Sequence, residues 1–153
     1  MNSRVGLLFV VYLIALLLLT FLPLDGIDKS QPVDLRLQLF RTIRFALKQG
    51  VGSHDFVVLI GNILAFVPLG IFVPLLLKRR SLSLTLLIAL ALSAAIEIGQ
   101  LAVSVAFGFA YRTADVDDVL TNVAGALIGY ICFVLFKRRA ASSSTGPTRA
   151  AGR

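Results

Sequence analysis

Arg112-Thr113-Ala114-Asp115-Val116-Asp117-Asp118-Val119-Leu120-Thr121-Asn122-Val123-Ala124-Gly125-Ala126-Leu127-Ile128-Gly129-Tyr130 sets an arginine and three aspartates within seven residues, then runs directly into an apolar stretch rich in small residues. Those aspartates are three of only eight acidic residues in a chain of 153 that is 58% hydrophobic. The apolar run that follows, Val119–Phe136, is close to the roughly 20 residues a helix needs to cross a ~30 Å hydrocarbon core. A carboxylate cluster at the mouth of such a helix reads as one wall of a polar site.

Working outward, three more runs have the same character: Val5–Leu22, Phe56–Leu77 and Leu82–Val103. With a mean hydropathy of +0.90, the chain has too little polar surface for an ordinary soluble domain. The expected fold is all-α, a four-helix transmembrane bundle with helices over about 5–22, 56–77, 82–103 and 119–136. The first run is too long for a signal-peptide core and ends in Thr20-Phe21-Leu22-Pro23 without a small-residue cleavage pattern, so it reads as a retained helix. The single cysteine, Cys132, sits inside the fourth run and reads as a small apolar residue.

Basic residues at helix ends give an orientation. Lys78-Arg79-Arg80 and Lys137-Arg138-Arg139 read as cytoplasmic stops. Both termini are then expected in the cytoplasm of a multi-pass cell-membrane protein, with Pro23–Asp55 and Ser104–Asp118 outside. Lys29, Arg36, Arg41, Arg44 and Lys48 in the first loop pull the other way. The formal charge of +7 comes largely from the stops and the tail, so it calls for no nucleic-acid partner.

Between the first two spans, Pro23 and Asp25-Gly26 end helix one, and Leu35, Leu39, Ile43 and Ala46 recur at helical spacing among the basic residues. This predicts an amphipathic helix over about 34–49, started by Asp34 and ended by Gly50. It either lies in the lipid interface or packs across the outer mouth of the bundle. Ser53-His54-Asp55 reads as the cap of the next helix, with capping the simpler role for the sole histidine. Pro68 and Pro74 should kink that helix. The 140–153 tail, with no apolar periodicity, is expected to be disordered and cytoplasmic, leaving 1–139 as the membrane domain.

The spans carry few polar side chains, and their depths agree. At ~1.5 Å per residue, Glu97 lies roughly 9 Å below the outer end of helix three, Gln100 roughly 5 Å, Asn62 about 8–9 Å below the start of helix two, and Asn122 near 5 Å below the start of helix four. Ser93, Glu97 and Gln100 line one stripe. Glu97, the only glutamate, is functional by default at such depth, or else locks helix register by pairing, with Arg112 the obvious partner. Gly125 and Gly129 form a GxxxG pattern that admits a neighbouring helix backbone. Asp117 and Asp118 suit a helix N-terminus, which explains one aspartate but not three.

In its ordered motifs, Asn62-Ile63-Leu64-Ala65-Phe66-Val67-Pro68-Leu69-Gly70, then Glu97 and Gln100, then Arg112, Asp115-Val116-Asp117-Asp118, Asn122, Gly125 and Gly129, the chain resembles the VanZ-like family of integral membrane proteins. The likeness covers roughly residues 60–130. It implies a multi-pass bacterial membrane protein of the cell envelope, whose namesake is linked to resistance against the glycopeptide teicoplanin. The resemblance supplies a context rather than a reaction.

Two functions are open. In one, the polar residues Asn62, Glu97, Gln100, Arg112, Asp115, Asp117, Asp118 and Asn122 bind a lipid-linked or amphiphilic ligand near the outer leaflet, with membrane lipids as partners. In the other, the protein is an enzyme on a lipid-linked or phosphorylated substrate, with Glu97 as acid or base and a divalent cation on Asp115, Asp117 and Asp118. No phosphate-cradling glycine loop, nucleophile elbow or His/Cys metal set is present, and nothing calls for a cofactor.

The orientation makes a direct prediction. In a Cys132→Ser background, Thr113→Cys should react with an impermeant thiol reagent in intact cells, and Ser81→Cys should be protected. The reverse pattern inverts the topology.

Overall fold

The computed structural model describes residues 3–22 and 29–144, the last four by backbone alone. Pro23, Asp25-Gly26 and the tail from 145 lie outside the described residues. The elements in order are α1 (Ser3–Phe21), β1 (Leu35–Arg36), α2 (Arg41–Gln49), α3 (His54–Leu77), α4 (Leu82–Phe107), β2 (Ala114–Asp115) and α5 (Val116–Ser144). Four of them, α1, α3, α4 and α5, are long and apolar enough to cross a membrane. On α1 only Leu16 is buried, while Leu7, Leu8, Val11 and Leu18 are more than half exposed. Such a surface suits a hydrocarbon solvent.

The centre of the bundle is the α3–α5 pair, whose backbones meet through glycines. A Cβ on Gly125 would strike the carbonyl of Ile63, and one on Gly129 the carbonyl of Val67. On the facing helix, a Cβ on Gly70 would collide with the Ala126 carbonyl and the Tyr130 amide. The expected GxxxG face is therefore met by a glycine on its partner. Around it pack Phe66, Leu69 and Val73 of α3, Ala89 and Ile96 of α4, and Leu16 of α1. Helix α3 runs unbroken through Pro68 and Pro74, and the Tyr12 hydroxyl of α1 donates to its Ala65 carbonyl at 2.9 Å.

Local chemistry explains the ends. The Ser53 hydroxyl caps α3 by accepting from the Phe56 amide at 3.2 Å. Ser81 does the same for α4 at Leu84. Gly108, at φ 75°, stops α4 in a left-handed conformation, four residues later than expected. α5 begins at Val116, three residues early, and continues past Arg139 into what was expected to be tail.

The loop helix differs most from expectation. It starts at Arg41 rather than near Asp34, because Leu35 and Arg36 pair in parallel with Ala114 and Asp115. Asp34 does not cap it; its carboxylate accepts from Arg36 Nε at 2.9 Å. Gly50 ends α2 as expected, donating to the Ala46 carbonyl. This arrangement ties the α1–α3 connection to the α4–α5 connection at one end of the bundle.

The glycine contact is testable by adding a single methyl. Gly125→Ala and Gly129→Ala must push two backbones apart and should each cost about 1–3 kcal/mol. Gly61→Ala, on the same α3 but with open space around its Cβ position, should be tolerated. Thermal unfolding of the purified variants reads this out, and equal tolerance at all three positions would contradict the packing.

Candidate functional site

The polar residues meet at the end of the bundle that carries the loops. They line a cavity of about 680 Å³, within the roughly 300–1,000 Å³ range of small-molecule sites. Every element contributes to its lining, β1, α2 and β2 by one residue each: Arg36, Thr42 and Asp115. The wall nearest the loops carries Asp34, Arg36, His54, Asp55 and Arg112, and the deepest lining residues along the helices are Ala65, Phe66 and Ile96. Phe66 is twelve residues into α3, about 18 Å from its start at 1.5 Å per residue. The cavity is thus polar at its mouth and apolar at its floor.

Of the eight residues singled out from sequence, Asn62, Glu97, Gln100, Arg112, Asp115, Asp118 and Asn122 line this cavity, and Asp117 does not. Several of them hold the architecture. The Asp117 carboxylate, nearly fully buried, accepts from the backbone amides of Phe40 at 2.6 Å, Thr42 at 2.8 Å and Ile43 at 3.2 Å. It caps α2 from a different helix, in place of the side-chain cap that α2 lacks. Asp115 accepts from the Thr42 hydroxyl with one oxygen and from the Asp117 amide with the other.

A second group finishes α1. Its last carbonyls have no partners within the helix. Gln100 Nε2 donates to the Thr20 carbonyl at 2.9 Å, the Tyr111 hydroxyl to Phe21 at 2.8 Å, and Arg112 to Leu22 at 2.8 Å. Arg112 therefore does not pair with Glu97 as the sequence suggested; its guanidinium is drawn to the open carbonyl end of α1. Glu97 instead accepts the Asp115 amide at 2.8 Å. The Ser104 hydroxyl, fully buried, donates to the Arg112 carbonyl and accepts from the Tyr111 and Arg112 amides.

What remains faces the cavity with capacity unused. Asp118 accepts no hydrogen bond on its carboxylate among the described residues, and Arg36 and Arg112 lie within electrostatic range of it. Asn122 donates to Ser93 Oγ at 2.9 Å, but its Oδ1 has no partner among the described residues. Asn62 Nδ2 and Arg112 Nε are buried and likewise unpartnered among the described residues. No three His, Cys, Asp or Glu side chains among the described residues come together as a metal-binding set. The carboxylates of Asp115 and Asp117 are already engaged by the donors described above.

Sequence reasoning passed over Ser104, Thr42 and the individual role of Arg36. Ser104 was within reach: it follows Gln100 by four residues and extends the Ser93, Glu97, Gln100 stripe. Thr42 had no such signal, since its partner is 73 residues away.

No curated protein and no solved structure matches the chain significantly. A family model described as VanZ/LLP1 matches residues 9–137, most of the chain, from within α1 to within α5 and including the whole of α3 and α4. That span contains every residue of the cavity described above, and the chain is a membrane protein of the VanZ/LLP1 family.

Proposed function

We propose that the cavity binds the head of a membrane amphiphile near the outer leaflet, with the start of its acyl or lipid tail on the apolar floor. The observation that carries this reading is the set of buried atoms without a partner among the described residues, Asn62 Nδ2, Arg112 Nε and Asn122 Oδ1, all on residues that wall one cavity. Each buried polar atom left without a partner costs roughly 1–3 kcal/mol. A fold that needed only stability would fill these positions with apolar side chains. A polar ligand supplies the partners the protein withholds.

The shape supports an amphiphile over a soluble metabolite. The polar mouth lies beside the loops, while Phe66 and Ile96 sit deep within helices that are themselves long enough to cross a bilayer. A molecule with one polar end and one apolar end satisfies both regions at once. The namesake's link to teicoplanin resistance fits a protein that alters how amphiphiles are presented at the outer surface, and teicoplanin resistance is the cellular role we propose. Enzymatic use of the site has less support: Glu97 already accepts a backbone amide, and no nucleophile or metal set stands beside it among the described residues.

Photocrosslinking tests the binding. A phospholipid carrying a diazirine beside its headgroup, added to the protein in membranes, should label peptides containing Val58, Ala65 and Ile96 of the cavity wall. A Phe66→Trp substitution, which fills the floor, should reduce that labelling severalfold while leaving background labelling of the lipid-facing α1 unchanged. Labelling confined to α1 and the outer faces of the other helices would contradict the proposal.

A further inference from the structure

The unused groups in the cavity are not of one kind, and their chemistry narrows the ligand. Three acceptors have no hydrogen-bond donor among the described residues: the second oxygen of Glu97, the Asp118 carboxylate, and Oδ1 of Asn122. Asn122 is 4% exposed, so its Oδ1 has no bulk water to fall back on. Beside them lie two guanidinium groups, Arg36 and Arg112, on the wall nearer the loops. Arg36 gives its Nε to Asp34 and Arg112 gives one terminal nitrogen to Leu22, while Arg112 Nε is buried without a partner among the described residues.

An ammonium group carries three N–H donors and no acceptor, which matches the three open acceptors. Arginine is the side chain suited to a phosphate oxygen. A purely anionic headgroup would meet two carboxylates. A quaternary ammonium would bring charge but no N–H, leaving Asn122 Oδ1 unpaired. Resting on the amphiphile-binding reading above, we infer that the cavity selects a zwitterionic head bearing a primary ammonium and a phosphate, as in a phosphoethanolamine lipid. The ammonium sits among Glu97, Asp118 and Asn122, and the phosphate lies toward Arg36 and Arg112.

The test uses the full-length protein in detergent, titrated by native mass spectrometry with palmitoyl-oleoyl phosphatidylethanolamine, phosphatidylcholine and phosphatidylglycerol. Phosphatidylethanolamine should bind about tenfold or more tightly than either, as expected for one charge-assisted hydrogen-bond set. Asp118→Asn should bring that preference down to the phosphatidylcholine level. Its carboxylate accepts no hydrogen bond among the described residues, so its unfolding temperature should stay at the parent value. Glu97→Gln, which can still accept the Asp115 amide, should do the same and serves as the second variant.

Free phosphoethanolamine should compete only at far higher concentration than the lipid. Equal competition would mean a soluble ligand and overturn the lipid as the source. Equal binding of all three lipids would overturn the headgroup assignment while leaving an amphiphile site in place. A preference that survives both substitutions would overturn the ammonium position. Binding of no lipid at all would overturn the amphiphile reading itself.

Discussion

A single carboxylate holds the loop end of this bundle together. Asp117 lies on the first turn of α5, yet its oxygens accept three amides at the start of α2, from Phe40, Thr42 and Ile43. Hydrogen bonds to an ionised acceptor are each worth roughly 1.5–3 kcal/mol. This one set explains why α2 begins at Arg41 and why Phe40 adopts the left-handed conformation at φ 61°. It also sets where the cavity wall stands, since Thr42 lines the cavity and is bonded to Asp115. The core glycines serve the same end from below: close α3–α5 approach fixes the relative height of Asn62 on one helix and Asn122 on the other.

The site is thus assembled from helix ends. α2 has its amides closed by α5, and α1 has its carbonyls closed by Gln100, Tyr111 and Arg112. In a hydrocarbon solvent, unpaired backbone groups at helix ends are costly, so side chains from neighbouring elements must supply partners. This separates the polar residues into two sets. Asp117, Asp115, Gln100 and Ser104 hold backbone. Asp118, Asn62 and Asn122 carry unused hydrogen-bonding capacity into the cavity, and Glu97 holds the Asp115 amide while walling the same cavity. Arg112 belongs to both, with one nitrogen on Leu22 and its Nε unpartnered.

Much of this was legible from sequence, for identifiable reasons. Spans of apolar residues announce themselves by length, and the depths of Asn62, Glu97 and Asn122 follow from helical rise, so their gathering at one level could be read directly. The Gly125–Gly129 pattern announced a close helix contact, though not that Gly70 would answer it. What could not be read is which polar atom meets which backbone group. Asp117 looked like a cap for its own helix, because a cap for a helix 75 residues away leaves no periodic trace. Arg112 looked like a partner for Glu97, since opposite charges suggest pairing, while the Leu22 carbonyl has no sequence signature at all. The extent of α2 was overestimated for the same reason: Leu35 and Arg36 fit a helical period but form backbone pairs with Ala114 and Asp115.

Hydrogen–deuterium exchange over α2 tests the organising role of Asp117 most directly. In the parent protein the amides of Phe40, Thr42 and Ile43 should be protected. In Asp117→Ala that protection should collapse through α2, with a loss of stability of about 2 kcal/mol or more, while Asp118→Asn should exchange like the parent. Equal exchange of α2 in the parent and in Asp117→Ala would contradict the account.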